Sequence, residues 1–126
     1  MVKTPYQERV QHDGVASQAT VYGSRIPQGK VAVIHTISAV VYTTNIGDYT
    51  TAKFIFVGYE SNGEKCYIEG GDINATNTMK GMIVSNRQVV LKEGDRVFAE
   101  FETTATTTTY VLVANGYIMD KEDLKQ

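Results

Sequence analysis

The sequence predicts an all-β fold, and three observations support that prediction. Val, Ile and Thr fill 39 of the 126 positions. Side chains branched at Cβ lose rotamer freedom in a helix and fit well on a pleated sheet. Leu, a common residue of helical cores, occurs three times. Short apolar runs alternate with turn residues along the chain, which is typical of a β-sandwich or barrel.

The first half of the chain contains three extended segments before its first tight hairpin. Residues 15–22 predict a strand, and Pro27 and Gly29 break the pattern that follows it. Residues 30–43 are rich in Val and Ile and predict a long strand. A polar loop then leads to residues 53–60, which predict the next strand.

Asn62 and Gly63 predict a β-hairpin. Both central residues of a type I′ turn need a positive φ, which Asn and Gly tolerate. Residues 64–69 are therefore expected to form the strand that pairs with the one before the turn. Residues 70–80 are rich in Gly, Asn and Thr, so we expect a polar loop there.

Three further strands are predicted over residues 81–91, 95–102 and 110–119. The middle one alternates most clearly, and Phe98 interrupts its polar face as a surface aromatic or an interface residue. Its apolar face carries Val97, Ala99 and Phe101, and its polar face carries Arg96, Glu100 and Glu102. Such alternation is typical of a sheet with one side on the core and the other in water.

These seven or eight strands predict a two-sheet antiparallel β-sandwich with jelly-roll-like connections, because the clearest connections are hairpins. We assign residues 15–119 to this domain. Residues 1–14 are expected to be a flexible N-terminal arm, and residues 120–126 a charged C-terminal tail.

Composition argues against several classes of function. The net charge is −2 and the basic residues are scattered, whereas nucleic-acid binding needs a clustered basic face. No apolar run approaches the roughly 18 residues of a membrane span. Residues 1–14 lack the apolar stretch of a secretory signal, so we expect the protein to be made in a host cytoplasm and assembled or released from there.

No catalytic residue, metal ligand or cofactor is predicted. The single cysteine, Cys66, excludes an intrachain disulfide, and His12 and His35 do not have the spacing of metal ligands. Residues 72–77 resemble a calcium loop but lack the Gly and Glu that an EF-hand requires. A looser calcium site remains open.

Two predicted strands, residues 30–43 and 53–60, are apolar on both faces. The outer face of a lone sandwich should be polar. Either a loop or neighbouring strand covers that face, or it is a subunit interface, where Tyr and Phe are enriched. The candidate interface or ligand-contact residues are Ile55, Val57, Tyr59, Phe98, Tyr42 and Tyr49.

Three segments carry a resemblance to a known group of proteins. Ile-Pro-Gln-Gly-Lys at residues 26–30 begins a long strand, Leu-Lys-Glu-Gly-Asp-Arg-Val at residues 91–97 makes a turn, and residues 110–119 close the domain. Over residues 20–119 the chain resembles small β-sandwich proteins of tailed-phage particles and related prophage regions. The resemblance implies a single jelly roll that oligomerises, often as a trimer, and decorates heads or builds tail parts.

The preferred hypothesis is therefore a non-enzymatic virion structural protein, either a head decoration (cement) protein or a tail-associated component. It would be a homo-oligomer, with a trimer favoured, in contact with other virion proteins. The alternative is a small carbohydrate-binding or receptor-binding module in which surface tyrosines contact a glycan. An enzyme is the third possibility.

Overall fold

The computed structural model describes residues 2–14, 18–42, 50–78, 80–103 and 108–122. Over these ranges the protein consists of two antiparallel sheets without an α-helix, which confirms the predicted β-sandwich. The strands described are β1 Thr4–Gly14, β2 Gln18–Tyr22, β3 Lys30–Tyr42, β4 Thr50–Ser61, β5 Glu64–Thr78, β6 Lys80–Ser85, β7 Val89–Leu91, β8 Arg96–Thr103 and β9 Thr108–Asp120.

Strands from the two ends of the chain pair with each other, and the pairs converge on the β4–β5 hairpin in the middle of the chain. One sheet has the order β1-β9-β3-β6, with β7 also on β3, and the other has the order β2-β8-β4-β5. Strands β6 and β7 pair with successive parts of β3 and act as one interrupted edge strand. The chain thus pairs β1 with β9, β2 with β8, β3 with β6 and β7, and β4 with β5, which is the arrangement of a jelly roll.

The hydrophobic core lies between the inner faces of the two sheets. On β8, Val97, Ala99 and Phe101 are fully buried, which confirms the predicted apolar face of this strand. The ring of Phe101 packs against the ring of Tyr110 on the opposite sheet, with 4.9 Å between the ring centroids. Phe101 and Tyr110 thus join the two layers.

The predicted hairpin is present between β4 and β5. Asn62 has a φ of 54° and Gly63 a φ of 79°. The positive φ of both central residues is the signature of a type I′ turn, which confirms the prediction from this dipeptide.

The segment predicted to be a flexible arm is instead an edge strand. All eleven residues of β1 pair with β9. Inward-facing Tyr6 and Val10 pack against the core, and burial raises the pKa of Tyr6 to about 12, with the Glu8 carboxylate adding to the shift. Alternation was hard to see in the sequence because an exposed edge strand carries many polar residues.

The segment predicted to be a polar loop over residues 70–80 also differs, because β5 continues through it to Thr78. Gly70 and Gly71 pair with Phe56 and Ile55 of β4. Pairing with an apolar neighbour stabilises an extended backbone whose own residues have low strand propensity. The calcium-like sequence at residues 72–77 is therefore in a strand.

The start of the predicted C-terminal tail belongs to the domain. Asp120 is the last residue of β9 and forms an ion pair with Lys30. The backbone N–H of Lys121 donates to the carbonyl of Gly29 at 2.8 Å. The side chain of Lys121 lies 3.4 Å from the Glu93 carboxylate. Residues 123–126 lie outside the described part of the chain.

Candidate functional site

The structure changes the set of candidate contact residues. Ile55, Val57 and Phe98 are 0% exposed in the single chain, so they cannot contact another molecule and their prediction as interface residues is corrected here. Tyr59 is half-buried and packs against the core. The side chain of Tyr42 and the whole of Tyr49 lie outside the described part of the structure.

Ile55 and Val57 are buried because their side chains point to the inner face of β4. Ile55 pairs with Phe101 and Val57 with Ala99 on the neighbouring strand β8. Directly paired residues point to the same face of a sheet, so Ile55 and Val57 face the core. The alternate residues Phe54 and Phe56 consequently lie on the outer face, where they are half-buried.

An aromatic face covers the outside of the four-stranded sheet. We use this name for Tyr22, Phe54, Phe56, Tyr67 and Phe98. Ring centroids of successive neighbours in this set lie between 5.1 and 6.4 Å apart. These spacings are those of interacting aromatic pairs. Phe98 is buried on this outer face because the rings of Tyr22 and Tyr67 lie beside it.

Tyr67 is the exposed member of the aromatic face, at 54%. It comes from edge strand β5 and reaches across Gly58 of β4 to contact Phe98 of β8. Gly58 permits this crossing because it has no side chain in the way. The ring of Tyr67 is steeply inclined to both neighbouring rings, at 86° to Phe98 and 71° to Phe56.

The hydroxyl of Tyr67 is held at the far side of β4. It donates to Glu100, with distances of 3.0 and 3.1 Å to the two carboxylate oxygens. The ammonium group of Lys65 donates to the same carboxylate. Partial burial raises the pKa of Tyr67, and the hydrogen bond to Glu100 adds to the shift. The hydrogen bond to Glu100 also raises the pKa of Lys65.

A second charged group borders the aromatic face at the hairpin end. Arg96 donates from Nε to Glu60 at 2.9 Å, and its guanidinium carbon lies 3.8 Å from the centroid of the Tyr22 ring. Arg25 is 3.5 Å from the same carboxylate. The hydrogen bond from Arg96 lowers the pKa of Glu60, and the nearby charges of Arg25 and Lys65 lower it further.

The lowered pKa of Glu60 predicts a loss of stability in acid. The pKa of Glu60 in the folded protein lies below the ordinary value of 4.5, so the folded protein binds a proton at Glu60 less readily than the unfolded chain does. The contribution of Glu60 to the free energy of unfolding is therefore present above pH 4.5 and disappears as the pH falls through the folded pKa. Urea unfolding between about pH 6 and pH 3 should show a shallower decline for Glu60→Gln than for the wild type.

The control for this experiment is Glu64→Gln, which removes an equal charge from an exposed position beside the turn. Its decline should follow that of the wild type. If the profile of Glu60→Gln also runs parallel to the wild type, the interaction of Glu60 with Arg96 does not contribute to acid sensitivity.

An aliphatic face covers part of the five-stranded sheet on the other side of the molecule. We use this name for five residues on three neighbouring strands: Met82 and Val84 of β6, Val40 of β3, and Val111 and Val113 of β9. Met82 is 56% exposed and Val84 is 44% exposed, whereas Val40 and Val113 are half-buried and Val111 is buried, so the open part of this face lies on β6. Val90 of β7 is exposed at 47% on the same side of the sheet. Residues 30–43 were predicted to be apolar on both faces, and Val40 is an apolar residue of this segment on the outer face.

The described part of the chain contains no candidate metal centre. Among the described residues, no group of three His, Cys, Asp or Glu side chains could hold a metal ion. The His12 ring stacks on Tyr110, and the His35 ring lies beside Tyr117. Cys66 is a half-buried free thiol opposite Tyr59, and its proximity raises the pKa of that tyrosine.

Comparisons with known proteins add no family. No protein-family model and no curated protein matches this chain. A crystal structure of dimeric latent PorU from Porphyromonas gingivalis aligns with 93% of this chain at 11% identity and a TM-score of 0.38. The aligned part is 13% of that chain, and a likeness this distant carries no argument about function. In the described ranges, no helix has the length and apolar character needed to cross a bilayer.

Proposed function

We propose that this chain is a non-enzymatic structural protein of a tailed-phage particle, as a head decoration or tail-associated component, and that it assembles through its aliphatic face. The occupant of that face would be a second copy of the same chain. The observation that carries the assembly proposal is the exposure of Met82 and Val84 side by side on one sheet surface. Jelly rolls are common in capsid proteins, which supports the particle assignment.

The composition of the aliphatic face favours a protein partner. One row runs from Val84 through Ser38 to Val113, the other runs from Met82 through Val40 to Val111, and neither row contains a charged residue. Large apolar side chains are normally buried, and a contiguous exposed group of them indicates an interaction site. Homo-oligomer interfaces have such apolar centres with polar rims. Here Arg9 and Gln11 of β1 lie beside the patch and would form the rim.

The proposal is tested by the mass of the protein in solution. Size exclusion coupled to light scattering should give a multiple of the 13.9 kDa chain mass, and three copies would match the expected trimer. Val84→Asp should shift the mass to that of a single chain, because an interface cannot bury an unpaired charge without a large free-energy penalty. A wild type that is monomeric at high concentration would contradict assembly.

The matched control is Thr20→Asp, which adds the same charge to an exposed position on the other sheet. It should leave the mass unchanged. If Thr20→Asp dissociates the protein as Val84→Asp does, the aliphatic face is not the interface. The particle assignment has its own test: antibodies against the chain should label intact phage particles by electron microscopy, and unlabelled particles would contradict it.

A further inference from the structure

We propose that the aromatic face holds a binding site for an uncharged pyranose sugar, with the exposed ring of Tyr67 as the stacking platform and Lys65 and Glu100 as the hydrogen-bonding groups beside it. This site is on the sheet opposite to the aliphatic face. It is independent of the proposed assembly and would give the particle component a second, ligand-directed surface.

The ring of Tyr67 is the part of the aromatic face that a ligand can reach. Tyr67 is the one exposed Phe or Tyr ring among the side chains whose burial the structure describes. It lies over β4 between Phe56 and Phe98, with centroid distances of 5.5 and 5.4 Å. Tyr67 thus makes edge contacts with one half-buried ring and one buried ring. A supported ring with an open side can stack on the C–H face of a sugar.

The side chain of Tyr67 is held in one position by its contacts within the protein. A tyrosine on an edge strand would ordinarily sample several rotamers, and a ligand that orders it has to offset that entropy. Here the hydroxyl is bonded to Glu100 two strands away, and the ring is in edge contact with Phe98. Tyr67 is therefore held across the sheet before any ligand arrives.

Polar groups of both hydrogen-bonding types lie beside the ring of Tyr67. Lys65 and Glu100 form an ion pair, so the surroundings of the platform have little net charge. This balance favours an uncharged ligand over a phosphate or an acidic peptide. An ammonium group donates and a carboxylate accepts, so together they match the hydroxyl groups of a sugar. Lys65 is also within 5.5 Å of the Phe98 ring, which places the polar pair directly beside the aromatic surface.

The test uses saturation-transfer NMR on the full chain with hexasaccharides of glucose, N-acetylglucosamine, mannose and galactose. At least one should receive saturation, mainly at its ring C–H protons, with a dissociation constant of about 1 mM or tighter. Tyr67→Ala should weaken binding about tenfold. Tyr67→Phe keeps the ring but loses the hydrogen bond to Glu100 that holds it in place, so it should weaken binding less than Tyr67→Ala does. Circular dichroism would confirm that each variant remains folded.

The matched control is Tyr117→Ala, which removes a half-buried tyrosine from the opposite sheet and should leave sugar binding unchanged. Absence of saturation in all four hexasaccharides would overturn the proposal, as would binding that Tyr67→Ala does not weaken. Val84→Asp separates the two proposals: it should alter the mass and retain sugar binding. A wild type that is monomeric yet binds a hexasaccharide through Tyr67 would contradict assembly alone.

Discussion

Replacement of Phe101 by Ala is expected to lower the free energy of unfolding by about 4 kcal/mol. Phe101 is fully buried between the two sheets and packs on Tyr110. Truncation removes a large apolar side chain from the core and leaves a cavity that the surrounding rigid strands fill only in part. Urea unfolding monitored by circular dichroism would measure the loss.

The matched comparison for Phe101→Ala is Phe54→Ala, because Phe54 is half-buried on the outer aromatic face. The same atoms are removed in both variants, but only the first leaves an enclosed cavity. We expect Phe54→Ala to be clearly the milder of the two. Equal losses would mean that the two-layer core is not organised around the contact between Phe101 and Tyr110.

Replacement of Gly58 by Ala is expected to destabilise the protein by about 3 kcal/mol and to disturb the aromatic face. A Cβ at this position would lie 2.1 Å from the carbonyl oxygen of Cys66 and 3.1 Å from the Phe98 ring. The carbonyl belongs to the backbone of the paired strand, so β4 and β5 would have to separate. The same urea experiment measures the loss, and the environment of Tyr67 can be followed by its aromatic NMR signals.

Gly63→Ala provides the comparison for Gly58→Ala. A Cβ at Gly63 has open space around it, but the residue has a φ of 79°, and a left-handed conformation costs an L-residue about 1 kcal/mol. The cost at Gly58 comes from a clash and should be the larger one. If Gly63→Ala destabilises more, the close approach of β4 and β5 at Gly58 is not a rigid feature of the fold.

Prediction from the sequence succeeded where local chemistry decided the structure. Asn62 and Gly63 form a type I′ turn because few other dipeptides accept two positive φ values. Val97, Ala99 and Phe101 face the core because charged residues occupy most of the alternate positions on β8. Most other residues at the turn would be strained by a positive φ. The opposite orientation of β8 would bury the charged side chains of Arg96, Glu100 and Glu102.

Prediction failed where two arrangements were locally similar. Both faces of β4 are apolar, so alternation did not show whether Phe56 or Val57 would face inward. Pairing with β8 decided it, because Val57 lies opposite the inward-facing Ala99. Strand β1 was missed for a related reason: its polar residues suit an exposed edge, and only pairing with the last strand makes it part of the sheet.

The candidate site on the aromatic face was only partly predictable. Tyr67 lies within the predicted strand over residues 64–69, but its contacts with Phe98 and Glu100 join residues more than thirty positions apart. The signal that could have indicated the site is Gly58 within an otherwise apolar strand, since an isolated glycine there suggests a bulge or a close approach. A register shift does occur between Val57 and Gly58.

The amino-acid sequence alone determined that the chain forms strands, where its tightest turn lies and which side of β8 is buried, because branched side chains, positive φ values and alternating polarity act over a few neighbouring residues. Only the tertiary structure decided which strands pair, which face of β4 is inside and which rings meet on the outer surface. These outcomes depend on contacts between residues distant in the chain, and the free energy of such contacts is absent from any local pattern.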